Sequence, residues 1–170
     1  MDASQKAEIK REVVRVLGAT EPKAKTEVTE SEQAAQSLAA QAVTDWVASI
    51  LGPSIRTTYG ELCGVDGINA AMVAARPDSP VVRRFVSGGG IYRFSYDVFL
   101  RRITRDGAAR IDALGLLGQV ADAIERHECP EKVLSWSAES VIQAPAIYST
   151  DEQGAETYRM SAQIAYVIPS

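Results

Sequence analysis

The clearest pattern of hydrophobic and polar positions lies in residues 88–103, where three glycines lead into a run of alternating side chains. Alternation with a period of two places successive side chains on opposite faces of a β-strand, so the run predicts a strand. One face is apolar and aromatic, with Tyr92, Phe94, Tyr96, Val98 and Leu100. The other face carries Arg93, Ser95, Asp97, Phe99 and Arg101. This second face is less plainly solvent-facing than the polar face of an ordinary amphipathic strand.

Two longer segments have the apolar spacing of helices. The first follows a capping-box pair, Thr29 and Glu32, and ends at Gly52-Pro53. Its predicted apolar stripe holds Leu38, Ala42, Trp46 and Ile50 beside Ala39, Val43, Val47 and Leu51. The second begins at Arg105-Asp106-Gly107, with a stripe of Ile111, Leu114, Leu117, Val120, Ala121 and Ile124. Gly115 and Gly118 each lower its propensity by roughly 1 kcal/mol, and we interpret them as marking a close approach of the helix to a sheet.

Further strands are predicted on both sides of the central one. Runs rich in β-branched, apolar and aromatic residues occupy residues 55–62, 69–75, 133–148 and 157–168, and an acidic-glycine turn at 151–154 joins the last two. Residues 81–86 lead into the glycines before the central strand. The predicted fold is α+β: a mostly antiparallel sheet with two main helices packed on one face.

The start of the chain is predicted to be an appendage to the main domain. Residues 3–17 place Ile9 and Val13 at helical spacing, and residues 19–29 form a charged segment without a period. We therefore divide the chain into an N-terminal helical arm and linker, residues 1–30, and a domain, residues 31–170. A helix this short is marginal alone in water, so its apolar face is expected to dock on its own domain or on a neighbouring subunit.

Composition narrows the class of protein only slightly. The 170 residues are 46% hydrophobic and 24% charged, with a net charge of −4, which is ordinary for a soluble globular protein and unlike a basic nucleic-acid binder. The two cysteines have no metal-ligand spacing, and no apolar run is long enough to span a membrane. We expect a chain made in the cytosol without a secretion signal, and no metal or cofactor.

Candidate catalytic chemistry is sparse. His127 is the only histidine, and Cys129 lies two residues beyond it. A nucleophile and its base also need a third group that orients the base, and no motif supplies one. We interpret His127 as a helix-end residue favoured by the helix dipole and Cys63 as a small buried apolar residue. A small cytosolic enzyme that uses Cys129 and His127 remains an alternative class.

Arginines cluster around the central strand. Arg83, Arg84, Arg93 and Arg101 lie within this span, together with Arg102 and Arg105. Arginine is enriched in protein interfaces because its guanidinium is planar and weakly hydrated. A solvated face, a subunit interface and a DNA-facing surface all remain open as explanations. The glycines at 88–90 do not predict a phosphate loop, because a strand and not a helix follows them.

Residues 81–101 resemble the core of the tail terminator proteins of long-tailed bacteriophages, which are often labelled minor capsid proteins. In that family a hydrophobic and basic segment ends in a Gly-Gly turn, and a strand with alternating aromatics follows. Residues 110–114 are similar to the opening of the family's next helix. Residues 146–148, the turn at 151–154 and residues 158–166 are similar to its terminal hairpin. The order and spacing of these segments carry the resemblance over roughly residues 31–168, whereas the arm departs from the short start expected of the family.

The resemblance implies a non-enzymatic structural protein of the virion, in its tail and neck, assembled in the host cytoplasm. Such a protein forms a homo-oligomeric ring, expected to be a hexamer, on the last ring of the major tail tube protein. The ring stops tube growth and joins the head-completion or neck protein, while DNA passes through its lumen without sequence-specific binding and no membrane takes part. The alternative within this class is another head-tail connector or head-completion protein. Candidate subunit-interface residues are Arg83, Arg84, Arg93, Phe99 and Arg101, with Ile9 and Val13 from the arm.

Overall fold

The computed structural model of the chain describes residues 30–62, 69–128, 130 and 136–169. The elements in chain order are helix α1 (Glu30–Leu51), strands β1 (Arg56–Tyr59), β2 (Ala70–Ala75), β3 (Val81–Arg84) and β4 (Gly90–Ile103), helix α2 (Gly107–Glu125), and strands β5 (Trp136–Thr150) and β6 (Ala155–Ile168). The predicted α+β class is confirmed. Apart from Glu30, the predicted N-terminal arm lies outside the described residues.

One sheet contains all six strands. Its main path runs β1-β2-β4-β6-β5, and β3 pairs with the start of β4 on the same edge that β2 uses further along. Every described pairing is antiparallel except that of β1 with β2, which is parallel. The prediction of a mostly antiparallel sheet is therefore confirmed, and the parallel pair at one edge makes the sheet mixed.

Strands β4 and β6 form the centre of the sheet. They pair in register from Gly90 opposite Ile168 to Ile103 opposite Ala155, without a bulge. Matching register brings the apolar positions of both strands onto one face, where Tyr92 stacks on Tyr166 with ring centroids 6.1 Å apart. The buried positions of this face are Tyr92, Phe94, Tyr96, Val98 and Leu100 from β4, and Tyr158, Met160, Ala162, Ile164 and Tyr166 from β6.

Both helices pack on this apolar face, as predicted, and one continuous core joins them to the strands. The helix residues in that core include Ala39, Val43, Val47 and Leu51 from α1, and Ala113, Leu117, Val120 and Ile124 from α2. Two members of the predicted stripes were placed wrongly, because Leu38 is 37% exposed and Ile111 is 74% exposed. Each helix touches the sheet along a stripe narrower than its run of apolar residues.

The glycines before β4 form the hairpin turn between β3 and β4. Gly88 and Gly89 have positive φ angles of 96° and 68°, a region in which glycine is favoured. Gly90 opens the strand, and a Cβ there would lie 2.4 Å from the backbone oxygen of Arg83. A strand follows the glycines, as the sequence predicted.

Gly115 and Gly118 do not mark a close approach of α2 to the sheet. A Cβ built at either position would meet no atom within 4 Å. Our interpretation of these two glycines was wrong, because the buried stripe of α2 runs through Leu117 and Val120 instead. Within the described part of the chain, both glycines lower helix propensity without a compensating contact.

Gly115→Ala and Gly118→Ala are each expected to raise the free energy of unfolding by about 0.5–1 kcal/mol, because alanine restricts the unfolded chain and fits the open space. Gly90→Ala is the matched control and is expected to lower stability, because its Cβ would collide with backbone. Urea denaturation of the dilute protein measures all three. Destabilisation by both helix variants would show that the glycines are needed for a contact within the monomer.

Candidate interface on the open face of the sheet

We call the side of the sheet opposite the helices the open face. It carries the odd-numbered side chains of β4 and β6, and no helix in the described part of the chain covers it. Its cations outnumber its carboxylates in the described residues, with Arg56, Arg83, Arg93, Arg101 and Arg159 against Asp97 and Asp151. A positive face on a chain of net charge −4 favours contact with an acidic surface.

An aromatic and arginine cluster lies near the middle of the open face. Phe99 and Arg159 are direct cross-strand partners on β4 and β6. Tyr148 of β5 meets Phe99 edge-on, with ring centroids 5.5 Å apart and an interplanar angle of 75°. The Arg159 guanidinium carbon lies 6.0 Å from the Phe99 centroid and 5.4 Å from that of Tyr148, within cation-π range.

Polar neighbours hold this cluster in place. The nearest atoms of Arg159 and Asp97 form an ion pair at 3.5 Å, and the Ser161 hydroxyl donates to Asp97 at 2.5 Å. Next along the face, the Gln163 amide donates to Ser140 at 2.8 Å. These partners restrict Arg159, while Tyr148 stays 58% exposed. The cluster therefore offers a positioned aromatic and cationic surface of the kind that is enriched in protein interfaces.

The predicted interface residues do not all lie together. Arg83, Arg93, Phe99 and Arg101 share the open face by the strand register. Arg101 is already bound to Asp151, whose pKa is lowered mainly by the backbone N–H of Ala155 and further by Arg101. Arg84 instead lies toward α1, where it pairs with Glu32 at 3.1 Å.

The remaining predicted residues fall elsewhere. Ile9 and Val13 of the arm, and Cys63 and Cys129, lie outside the described residues. His127 ends α2 in the left-handed conformation, with a φ of 57°. Its N–H donates to Ile124, and the next N–H, of Glu128, donates to Ala123, which is the pattern of a Schellman cap. His127 therefore has a capping role at the end of the helix.

Two buried glutamates form networks that sequence reasoning missed. Glu32, in the first turn of α1, accepts from the Tyr92 hydroxyl and pairs with Arg84. The pKa of Tyr92 is raised by burial and by this carboxylate. The network connects α1 to β3 and β4. Local sequence spacing could not predict it, because its members lie far apart in the sequence.

Glu156 of β6 forms the second network and is only 3% exposed. Arg110 of α2 contacts it at 2.7 Å, the Tyr158 hydroxyl donates at 2.6 Å, and Thr104 also donates. These three partners, Arg110 first, lower the pKa of Glu156 to about 2. Burial, and next the hydrogen bond to the same carboxylate, raise the pKa of Tyr158. All these groups are engaged with one another, so the network serves to anchor α2 on the sheet.

Comparison of the chain with protein-family models finds no match, and comparison with curated protein sequences finds none either. In residues 30–62, 69–128, 130 and 136–169, no group of His, Cys, Asp and Glu side chains is arranged to hold a metal ion. Neither described helix is long and apolar enough to cross a membrane.

Glu156→Gln is expected to remove part of the pH dependence of stability. The pKa of Glu156 falls from an ordinary 4.5 to about 2 on folding, so its stabilising effect is complete above about 4.5 and is lost as pH falls toward 2. Wild type should lose more stability than the variant between pH 5 and about 2, as measured by urea denaturation. Glu152→Gln, which removes a nearby exposed carboxylate, is the control. An identical pH profile for wild type and Glu156→Gln would contradict the assignment.

Proposed function

We propose that this chain is a ring-forming structural protein of a bacteriophage virion, of the tail terminator kind. In this role its ring, expected to be hexameric, caps the tail tube, stops elongation and joins the tube to the neck. The resemblance of residues 81–101 and of the terminal hairpin supports this role. In the structure these segments supply β3, β4, β5 and β6, which are four of the strands that form the open face.

The observation that carries the proposal is the cluster of Phe99, Tyr148 and Arg159 on a sheet face without a covering helix in the described residues. An exposed aromatic beside a positioned arginine is typical of the residues that dominate binding energy in interfaces. We infer that a neighbouring subunit covers this cluster.

The irregular edge strand β5 favours contact between subunits through the open face of the sheet and not through strand pairing at this edge. Its ladder with β6 shifts register at four places, and Pro145 lies within it. Bulges and prolines are features that keep exposed edges from pairing with other strands. Edge-to-edge addition of a second sheet is therefore disfavoured along β5.

A closed ring needs two different complementary patches on each subunit, because its contacts are head-to-tail. The outward side of α2 fits as the second patch. It carries Ile111 as an exposed apolar residue and Asp122 and Glu125 as exposed carboxylates without an ion pair in the described structure. Its acidic and apolar character matches the cationic and aromatic character of the open face.

Tyr148→Ser and Arg83→Glu are each expected to weaken ring assembly by about 10-fold or more in concentration, as is common for central interface residues. Both side chains are exposed, so thermal stability of the dilute monomer should change little. Sedimentation velocity over a concentration series measures assembly, and negative-stain microscopy shows the ring. Arg105→Glu, an exposed arginine outside the strands, is the matched control. Wild-type protein that stays monomeric at every concentration, also when mixed with tail tubes, would overturn the proposal.

A charge exchange tests which surfaces meet. Asp122→Arg with Glu125→Arg should weaken assembly, because it makes the second patch repel the arginines of the open face. Adding Arg83→Glu to those two changes should recover part of the lost assembly, measured by the same sedimentation series. If the triple variant assembles no better than the Asp122→Arg/Glu125→Arg variant and the Arg83→Glu variant, α2 is not the surface that meets Arg83.

Capping itself is tested on tubes grown from the purified major tail tube protein. Addition of the wild-type protein should stop growth and leave a ring at one end of each tube in negative stain. Tubes that grow to the same length with and without the protein would count against the tail terminator role and leave another connector role as the better assignment.

A further inference from the structure

The hairpin between β3 and β4 carries an apolar surface that the described residues leave uncovered. Val82, Phe85 and Val86 lie close together in the sequence and are 53%, 37% and 109% exposed. The value for Val86 is the largest of any large apolar side chain in the described part of the chain. Turns usually carry small and polar residues, and a contiguous apolar patch on a protein surface usually marks a contact. We call these three side chains the hairpin patch.

Backbone contacts hold the hairpin patch in a defined place. The Phe85 N–H donates to the Gly89 carbonyl, and the Gly88 N–H donates to the Phe85 carbonyl, both at 3.2 Å. The backbone of Ile168 and Pro169, at the end of β6, lies against Gly89. The turn is therefore hydrogen-bonded and backed by the sheet, so its exposed apolar side chains form a preformed surface.

Helix α1 begins at the same end of the molecule as this hairpin. Glu32, in the first turn of α1, contacts Arg84 at 3.1 Å, and Arg84 directly precedes Phe85. Glu32 also accepts from the hydroxyl of Tyr92, near the start of β4. Residues 1–29 join the described domain at the start of α1, and they therefore meet it beside the hairpin patch.

The N-terminal arm carries a stripe of matching chemistry. Four aliphatic residues share one side of its predicted helix, namely Ile9, Val13, Val16 and Leu17. Residues 18–29 connect this stripe to α1 and span about 40 Å when fully extended. The ion pair of Arg84 with the first turn of α1 keeps the hairpin well inside that reach. A short tether also gives the stripe a high effective concentration at a site on its own chain.

We propose that the aliphatic stripe of the N-terminal arm packs on the hairpin patch of its own chain. The contact covers an apolar patch that the described residues leave open, and it supports a helix that is marginal alone in water. Both surfaces are apolar, so the removal of apolar area from water supplies the attraction. The sequence analysis placed Ile9 and Val13 at a subunit interface, whereas this contact lies within one subunit and does not depend on ring formation.

Methyl NMR of the dilute full-length protein, labelled at isoleucine and valine methyl groups, tests the contact. We expect nuclear Overhauser effects from the methyl groups of Ile9 and Val13 to those of Val82 or Val86, because packed aliphatic carbons lie about 4 Å apart. Val14, which lies off the stripe, is the matched control and should show no effect to the hairpin. The absence of any effect between the stripe and the hairpin patch would overturn the proposal.

Hydroxyl-radical oxidation of Phe85 in the dilute protein gives a second measurement. Ile9→Ser combined with Val13→Ser should raise this oxidation by about two-fold or more, because the loss of both aliphatic side chains removes much of the attraction. Val14→Ser should leave it unchanged. Oxidation of Tyr59, an exposed residue of β1, should be equal in all the proteins and shows that the sheet is intact. Unchanged oxidation of Phe85 in the double variant would contradict the contact.

A mixed sample distinguishes a contact within one chain from an exchange of arms between two copies. Protein labelled only at isoleucine is mixed and equilibrated with protein labelled only at valine. We expect the effects between Ile9 and the hairpin valines to disappear, because the labelled groups then lie on different molecules. If the effects persist, the arm of one copy lies on the hairpin of another. That result would overturn the intrachain contact and return Ile9 to the subunit interface.

Discussion

The in-register pairing of β4 with β6 determines where both helices pack and which side chains the sheet leaves uncovered. The two strands match residue for residue over their whole length, and a slip of one residue would send every side chain to the wrong face. The ladder therefore decides two things together. It directs the tyrosines and aliphatic residues of both strands toward α1 and α2. It also commits Phe99, Arg159, Arg93 and Arg101 to the opposite face.

The helices are fastened to that sheet by two buried carboxylates as well as by apolar packing. Glu32 joins α1 to Tyr92 and Arg84, and Glu156 joins α2 to the sheet through Arg110. A buried ion pair contributes little net stability, but breaking one by removing a partner is strongly destabilising. These networks therefore favour one placement of each helix on the sheet.

The sequence predicted the fold class, the two helices and the long strands because these depend on local periodicity. The alternation in residues 88–103 identified both faces of β4, including Phe99. Helix α2 begins at Gly107, within the predicted start at residues 105–107. Long-range features were beyond such reasoning. The ion pairs that engage Arg84 and Arg101 join residues about fifty positions apart. Tyr148 lies in β5, whose ladder with β6 shifts register at four places, and no periodic pattern reveals where such shifts fall.

The apolar stripes of the two helices show a second limit of prediction from local periodicity. Ile111 continues the apolar spacing of α2, yet it is exposed. A Cβ at Gly115 or Gly118 of the same helix would meet no atom of the described residues. Periodicity indicates which residues share a side of a helix, but the edge of the contact depends on how the helix lies on its sheet. On the ring hypothesis, an apolar residue left outside the monomer core becomes part of the contact between subunits.

We propose that another subunit covers the open face at Phe99, Arg159 and Tyr148. Hydroxyl-radical footprinting of the wild-type protein in its dilute and assembled states can test whether these side chains become protected. Our account predicts that oxidation of Tyr148 and Phe99 falls on assembly, while oxidation of Tyr59, an exposed residue on the edge strand β1, stays the same. Equal oxidation of Tyr148 and Phe99 in both states would contradict it.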